Sequence, residues 1–349
     1  MLSQTKPHQT IIITGGNSGL GYQCAKAIAQ SERGWQIVIA SRNLHRVESA
    51  VSRLITETGY PYIQGLELDL AELQSVRHFV QQLAQVHIPP LKGLVCNTGV
   101  QIVSGTTFTV DGFETTFGVN HLAHFLLVNL LLPQMMENSR IVFVSSDTHD
   151  PTTQTGMPAP RYESPHQMAF PYEIHELENA GSIGKSRCDA IFQRKGYCWG
   201  KRSATANGQR RYATSKLCNL LCTYELARRL QRHQSTISVN AFNPGLMLDT
   251  QLARGYSIKQ KLSLLLNNFL PLLRQVLKFH NSKNMGKALA LTILNPDFDG
   301  VTGQYFDGFV RGAWALPKRG NSSLESHDKH KAVELWDESK VLVGLEQSI

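Results

Sequence analysis

The sequence predicts an α/β protein of the Rossmann type, a doubly wound, seven-stranded parallel sheet with helices on both faces. Three observations carry that expectation. Short β-branched runs alternate with stretches of helical period, the runs are apolar throughout as in strands buried on both sides, and a glycine-rich turn follows the first run directly.

The first run, Ile11-Ile12-Ile13, leads into a helix with Leu20, Cys24, Ala27 and Ile28 on one face. A strand over Ile37 to Ala40 precedes a helix from Asn43 to Glu57. The next, Gln64 to Leu68, precedes a helix with Leu73, Val76, Phe79, Val80 and Leu83 in register. Leu94-Val95-Cys96, a long helix from Asp111 to Met136 and the strand Ile141 to Val144 continue the alternation. There the period stops. Prolines and scattered Gly, Ser and Thr mark 147–209 as an insertion of irregular structure. Regular elements resume with a helix from Arg211 to Arg232, a strand Ile237 to Phe242, a helix Asn284 to Leu294 and a strand Gln304 to Phe306.

With 42% hydrophobic and 18% charged residues, the 349-residue chain can bury one large core, so 1–349 reads as a single domain. Within it, 246–283 is expected to form a substrate lid and 311–349 a C-terminal extension. No unbroken apolar run of membrane-spanning length is evident, and residues 1–10 lack the blocks of a secretory signal. The expectation is a cytoplasmic protein with reduced thiols, since the six cysteines form no metal-ligand or disulfide pattern.

The net charge of +8 raises the question of nucleic acid. Residues 185–211 answer it, because eight Lys or Arg against Asp189 alone supply +7 there and leave the rest nearly neutral. Phe192, Tyr197 and Trp199 lie among those charges, a mixture that could stack on a nucleic acid or an anionic surface. A solvated loop is the plainer reading, and no nucleic-acid partner is expected.

The turn after the first strand reads Thr14-Gly15-Gly16-Asn17-Ser18-Gly19-Leu20-Gly21 and opens into a helix. Glycines here let the backbone approach a pyrophosphate, whose charge is met by free N–H groups and the helix dipole. The bland alternative is a tight strand-to-helix turn. At the end of the second strand, where a carboxylate would hold a ribose 2′-hydroxyl, stand Ser41 and Arg42. A guanidinium there suits a 2′-phosphate, so NADPH/NADP is the expected cofactor. Tyr212 and Lys216, four residues apart, share a helix face, and a nearby cation favours the phenolate of a tyrosine acid/base. Alone, such a pair is usually a surface contact.

The glycine motif, Asn97-Thr98-Gly99, Asn120, Ser146, Tyr212 with Lys216, and Asn243-Pro244-Gly245 occur in the order of the short-chain dehydrogenase/reductase family, which the chain resembles over roughly residues 8–310. The resemblance implies that Ser146 holds the substrate oxygen, Tyr212 is the acid/base, Lys216 binds the nicotinamide ribose, and Asn120 anchors a water chain to it. It also implies that Gly15, Ser18, Gly19, Leu20 and Gly21 line the phosphates, Asp69 and Leu70 the adenine, Asn97 and Gly99 the adenosine ribose, and Pro244 and Gly245 the nicotinamide. Thr98 stands where the family usually has Ala.

Two branches are especially similar, the retinol dehydrogenase-like reductases and the light-dependent protochlorophyllide reductases. Both share the stretches Leu94 to Asn97, Thr107 to Thr109, Asp111 to Glu114, Asn120 to Leu127 and Ser215 to Asn219. The second branch carries a cysteine where Leu246 stands and Lys-Asp where Ala213-Thr214 stand, so an NADPH-dependent carbonyl or alcohol oxidoreductase is preferred over a light-driven ring reductase. The leucine-rich 262–277 would suit an apolar substrate such as a retinoid or long-chain aldehyde, or equally a core helix or peripheral membrane contact. A rival of another class is a cofactor-binding sensor or scaffold without turnover. The 66 positions between Ser146 and Tyr212 are far more than the family's usual spacing, which raises the question whether the insertion disturbs the site. It also lies beside the helices through which the family often pairs subunits.

Overall fold

Strand β1 (Gln9–Thr14) shows how the sheet divides its neighbours. Ile12 joins one apolar layer while Ile11 and Ile13 join the other, the alternation that a strand covered on both faces requires. The computed structural model describes residues 6–31, 34–86, 88–153, 155–171, 201–247, 249, 281–311 and 314–346. After β1 come α1 (Gly19–Ala29), β2 (Trp35–Ser41), α2 (Leu44–Thr58), β3 (Ile63–Glu67), α3 (Leu73–Gln85) and β4 (Leu91–Cys96), close to their expected places. Local chemistry sets the ends: the Asn43 side chain accepts from the Arg46 N–H at 2.9 Å to start α2, and Gly59, at φ +69°, ends it.

The long apolar helix is broken into pieces. Asp111 is spent on capping α3, accepting the Leu73 N–H at 2.9 Å, and helix proper starts at α4 (Thr115–Phe117). A π-helical turn (Gly118–Leu122) and α5 (Ala123–Leu131) follow, and Met135 already opens β5 (Met135–Val144). Thr115–Gln134, although interrupted by Asn and His, has the length and mean apolarity to cross a membrane, but 83% of its apolar 18-residue window is buried within the fold. Its hydrophobicity serves the core.

Beyond β5 the described residues hold α6 (Pro165–Ala169), α7 (Lys201–Arg232), β6 (Ser238–Asn243), α8 (Ser282–Leu294), β7 (Tyr305–Arg311), β8 (Trp314–Arg319) and α9 (Lys329–Leu342). The sheet order is β3-β2-β1-β4-β5-β6-β7-β8; the first seven strands run parallel, and β8 adds an antiparallel eighth. Two expectations are thereby corrected. The sheet has eight strands, and α7 begins at Lys201, so 201–209 are helical instead of irregular. The expected lid at 246–283 and the aromatic residues of the basic segment fall almost wholly outside the described residues.

One layer holds α1, α2 and α8, the other α3, α5, α7 and α9. The C-terminal extension is therefore part of the core. Trp336 of α9, 1% exposed, meets Phe125 of α5 edge-on at 4.8 Å, the Arg229 guanidinium lies 4.8 Å over its ring, and Ser339 Oγ bonds His121 Nε2 at 2.9 Å. Trp336→Ala is expected to cost about 3–5 kcal/mol, the usual range for emptying a buried aromatic site, read as a lower urea midpoint at unchanged slope.

Candidate active site

The glycine turn rises from the carboxyl end of β1 and fits a dinucleotide phosphate by its shape. Gly15 and Gly19 have φ of +67° and +54°, and a Cβ on Gly15 would stand 2.9 Å from Thr98 Oγ1 and 3.0 Å from Asn97 Nδ2. Gly21 has no more room, since a Cβ there would meet the Gly15 carbonyl oxygen at 2.6 Å. Ser18 precedes α1 without capping it through its side chain, and the first turn carries no acid. The N–H groups of that turn are thus left to an anion. Thr98, the departure from the family pattern, fills the space against Gly15.

Ser41 ends β2, and its carbonyl accepts the Leu68 N–H at 3.1 Å. Arg42 is exposed and forms no ion pair among the described residues. Asp69 Oδ1 is taken by the Ala71 N–H at 2.9 Å, and Leu70 buries its side chain in the core, so only its backbone is placed to face an adenine.

The catalytic candidates gather where α7 crosses the ends of β4 and β5. Lys216 is 3% exposed, and its Nζ donates to the Val144 carbonyl at 2.8 Å and lies 5.5 Å from the centre of the Tyr212 ring. Burial pulls its pKa down to about 8, which leaves it mostly protonated at neutral pH. A Cβ on Gly99 would stand 3.5 Å from Nζ and 3.7 Å from Asn120 Oδ1, which puts these groups around one small space. Asn120 sits in the π-helical turn as a clamp. Its Oδ1 accepts the Val100 N–H at 2.7 Å, and its Nδ2 donates to the Val100 carbonyl and to Ser215 Oγ, both at 3.0 Å. With its side chain so committed, the described contacts make Asn120 a positioning group that joins the end of β4 to α7.

Ser145 Oγ donates to the Lys216 carbonyl at 3.2 Å, and Ser146 stands immediately beyond, its Oγ directed to Asp147 Oδ1 at 3.2 Å. At the end of β6, Asn243 Oδ1 accepts the Gly245 N–H and its Nδ2 donates to Asp307 Oδ1, both at 2.9 Å, turning the chain through the buried Pro244 and the half-buried Gly245, whose φ is +70°. Ser146, Asn120, Tyr212 and Lys216 therefore sit at a strand end, in the π-helical turn and on α7. Four cysteines, Cys24, Cys96, Cys218 and Cys222, are buried free thiols, and no cluster of metal-ligating side chains occurs among the described residues.

Comparison with known proteins gives the family. The pattern of the short chain dehydrogenase family matches residues 9–157. Retinol dehydrogenase 14 of Mus musculus is 33% identical over 356 residues, covering 97% of this chain and 86% of its own. The chain belongs to the short-chain dehydrogenase/reductase family. The WW domain-containing oxidoreductase of Gallus gallus is 31% identical, covering 96% of this chain and 68% of its own. Protochlorophyllide reductase A of Oryza sativa is also 31% identical, over 96% and 80%. Among solved structures, a short chain dehydrogenase from Burkholderia cenocepacia in complex with NADP shares the fold with a TM-score of 0.56 at 19% identity, over 86% of this chain and 96% of its own.

Two histidines that the sequence reading did not single out brace this short-chain dehydrogenase/reductase site. His124 Nδ1 lies 3.2 Å from the Asn120 carbonyl and must donate to it, so Nε2, 3.0 Å from Thr14 Oγ1, accepts the threonine proton. That hydroxyl in turn accepts the N–H groups of Asn97 and Thr98 at 2.9 and 3.0 Å. By the same logic His149 donates from Nδ1 to the Ser146 carbonyl at 2.5 Å and accepts the Ser323 N–H at Nε2, 3.1 Å away. Nothing in their spacing marks them, because each bonds across the fold.

Burial holds His124 and, in the π-helical turn, His121 neutral, lowering His124 to about 4 and His121 to about 3, and it lowers His149 as well. A histidine with a folded pKa below its unfolded value of about 6.5 contributes stability that is whole above that pH and is lost as pH falls toward the folded value. Between pH 7.5 and 5.0 His124 and His121 should each remove about 2 kcal/mol of unfolding free energy. Urea titrations across that range are expected to show the decline, with a shallower one in His124→Gln.

Proposed function

We propose that this protein is an NADPH-dependent carbonyl reductase or alcohol dehydrogenase acting on an apolar substrate, with Tyr212 as acid/base. The buried ammonium of Lys216 beside the Tyr212 ring, one helical turn away and at the ends of β4 and β5, carries the reading. When bound, the nicotinamide supplies or accepts the hydride. The chain's own groups manage the proton and the orientation. Lys216, protonated at neutral pH, stabilises the phenolate and so eases proton release from the Tyr212 hydroxyl to a carbonyl oxygen. Ser146 Oγ, turned from Asp147, would donate to the same oxygen, while the glycine turn and Asn97 receive the dinucleotide.

An apolar substrate is favoured by the likeness to retinol dehydrogenase 14 and by the leucine-rich 262–277. NADPH is favoured by the exposed guanidinium of Arg42, which forms no ion pair among the described residues. The likeness to protochlorophyllide reductase A supports a second reading, against which stand Leu246 and Ala213-Thr214. Illumination with NADPH and pigment separates the two, since a carbonyl reductase yields no light-dependent red-shifted product.

Tyr212→Phe is expected to lower aldehyde-dependent NADPH oxidation by about 10²–10⁴-fold while NADPH still binds with near-native affinity in a fluorescence titration. Native-like turnover in that variant would remove the tyrosine from the chemistry. Arg42→Ala should weaken NADPH at least about tenfold and leave NADH nearly unchanged, a loss of 1.4 kcal/mol or more confined to the phosphorylated cofactor. Equal losses for both would defeat the assignment of Arg42.

A further inference from the structure

α7 starts three turns before the tyrosine, and the early part of the helix lies against the loop that follows β4. Gly208 is buried there, and a Cβ on it would stand 2.0 Å from the Ile102 carbonyl oxygen and 2.8 Å from Val103 Cα. The helix backbone thus touches the loop backbone with no space for any side chain. Gly208, Tyr212 and Lys216 recur every four residues and so share a face of α7. The loop runs beside that face. Its first residue, Val100, is clamped by Asn120, and Gly99 before it lies against Lys216 Nζ.

Arg211 fastens the far end of the same loop. Its Nη2 donates to the Gly105 carbonyl at 2.5 Å, and its Nε faces Glu114 Oε1 at 3.1 Å. That pair is too poorly aligned for a hydrogen bond, so the attraction is Coulombic. Glu114 is 1% exposed, its other oxygen accepts the Phe117 N–H at 2.8 Å, and burial raises its pKa against the lowering effect of Arg211. A carboxylate so deeply buried depends on its cation.

We propose that Gly208 and Arg211 are positioning residues that fix residues 100–106 as the wall of the substrate space beside Tyr212 and so set which substrates fit. The proposal rests on the reading of Tyr212 as acid/base. Gly208 sets how near the loop lies to the helix, and Arg211, fixed by Glu114, stops it lifting at Gly105. Helix propensity alone would make Gly208→Ala stabilising, so loosening of the loop in that variant would come from the contact.

Two measurements on the full chain test this. Hydrogen exchange of the backbone amides of 100–106 is expected to accelerate at least tenfold in Gly208→Ala and in Arg211→Ala, with the amides of α9 unchanged and Arg211→Lys recovering part of the protection. The ratio of kcat/KM for dodecanal over butanal should shift at least fivefold in both alanine variants, with KM carrying the change, kcat within threefold and NADPH affinity within twofold of wild type. Native exchange in both alanine variants, or an unchanged ratio in active enzyme, would overturn the proposal. If Gly208→Ala does not fold, Arg211→Ala and Arg211→Lys decide it. A wild type that turns over no aldehyde, with the local acceleration still seen in the two alanine variants, would defeat the proposed function and leave the clamp standing.

Discussion

A lysine ammonium taken almost wholly out of water needs a fixed acceptor, and the centre of this protein is built to hold one in place. Lys216 finds the Val144 carbonyl at the end of β5 only because the catalytic helix crosses the sheet at that point. The crossing is held from several sides: Ser145 reaches the Lys216 carbonyl, Asn120 reaches Ser215, and Ser215 donates to the carbonyl of Tyr212 at 2.7 Å. The first two bonds join a strand end and the π-helical turn to one stretch of helix, and the third lies within that stretch. The relation of Tyr212 to Lys216 is thereby a property of the sheet as well as of helix spacing.

Most of the sheet was legible in the sequence because parallel strands buried on both faces leave a continuous apolar signature. The helix starts that could be read were those with a local chemical cause, such as Asn43. What escaped had non-local causes. Residues 201–210 carry small and polar side chains without an apolar period, since Gly208 meets a loop backbone instead of the hydrophobic core. β8 contains Pro317, which argues against a central strand and is tolerated because β8 is the sheet's edge. α9 did offer a signal, with Asp328 as its cap and Ala332, Leu335 and Trp336 on one face, but Ser339 interrupts that stripe and is buried to meet His121.

The candidate site divides in the same way. Residue types with an intrinsic chemical purpose, the glycines, Ser146, Tyr212 and Lys216, announced themselves through spacing and order. Residues that position them did not, because Thr14, His124 and His149 act through partners 83 or more positions away or through backbone atoms that no sequence pattern displays. A π-helical turn is likewise invisible in composition, although it is what brings the Asn120 side chain to Val100.

The extension beyond the last parallel strand then acquires a physical role. Ser323 fixes the tautomer of His149, and His149 holds the carbonyl of Ser146, so the serine's backbone is secured by a segment 177 residues downstream. α9 does the same for the π-helical turn through Ser339 and His121, and Arg77 of α3 binds the Val343 and Gly344 carbonyls at its end. A buried neutral imidazole is a rigid spacer only while it stays neutral, and burial lowers the pKa of both His121 and His149. The C-terminal segment thus adds a second layer of support, and Tyr212 and Lys216, which it backs, can be buried without losing their geometry.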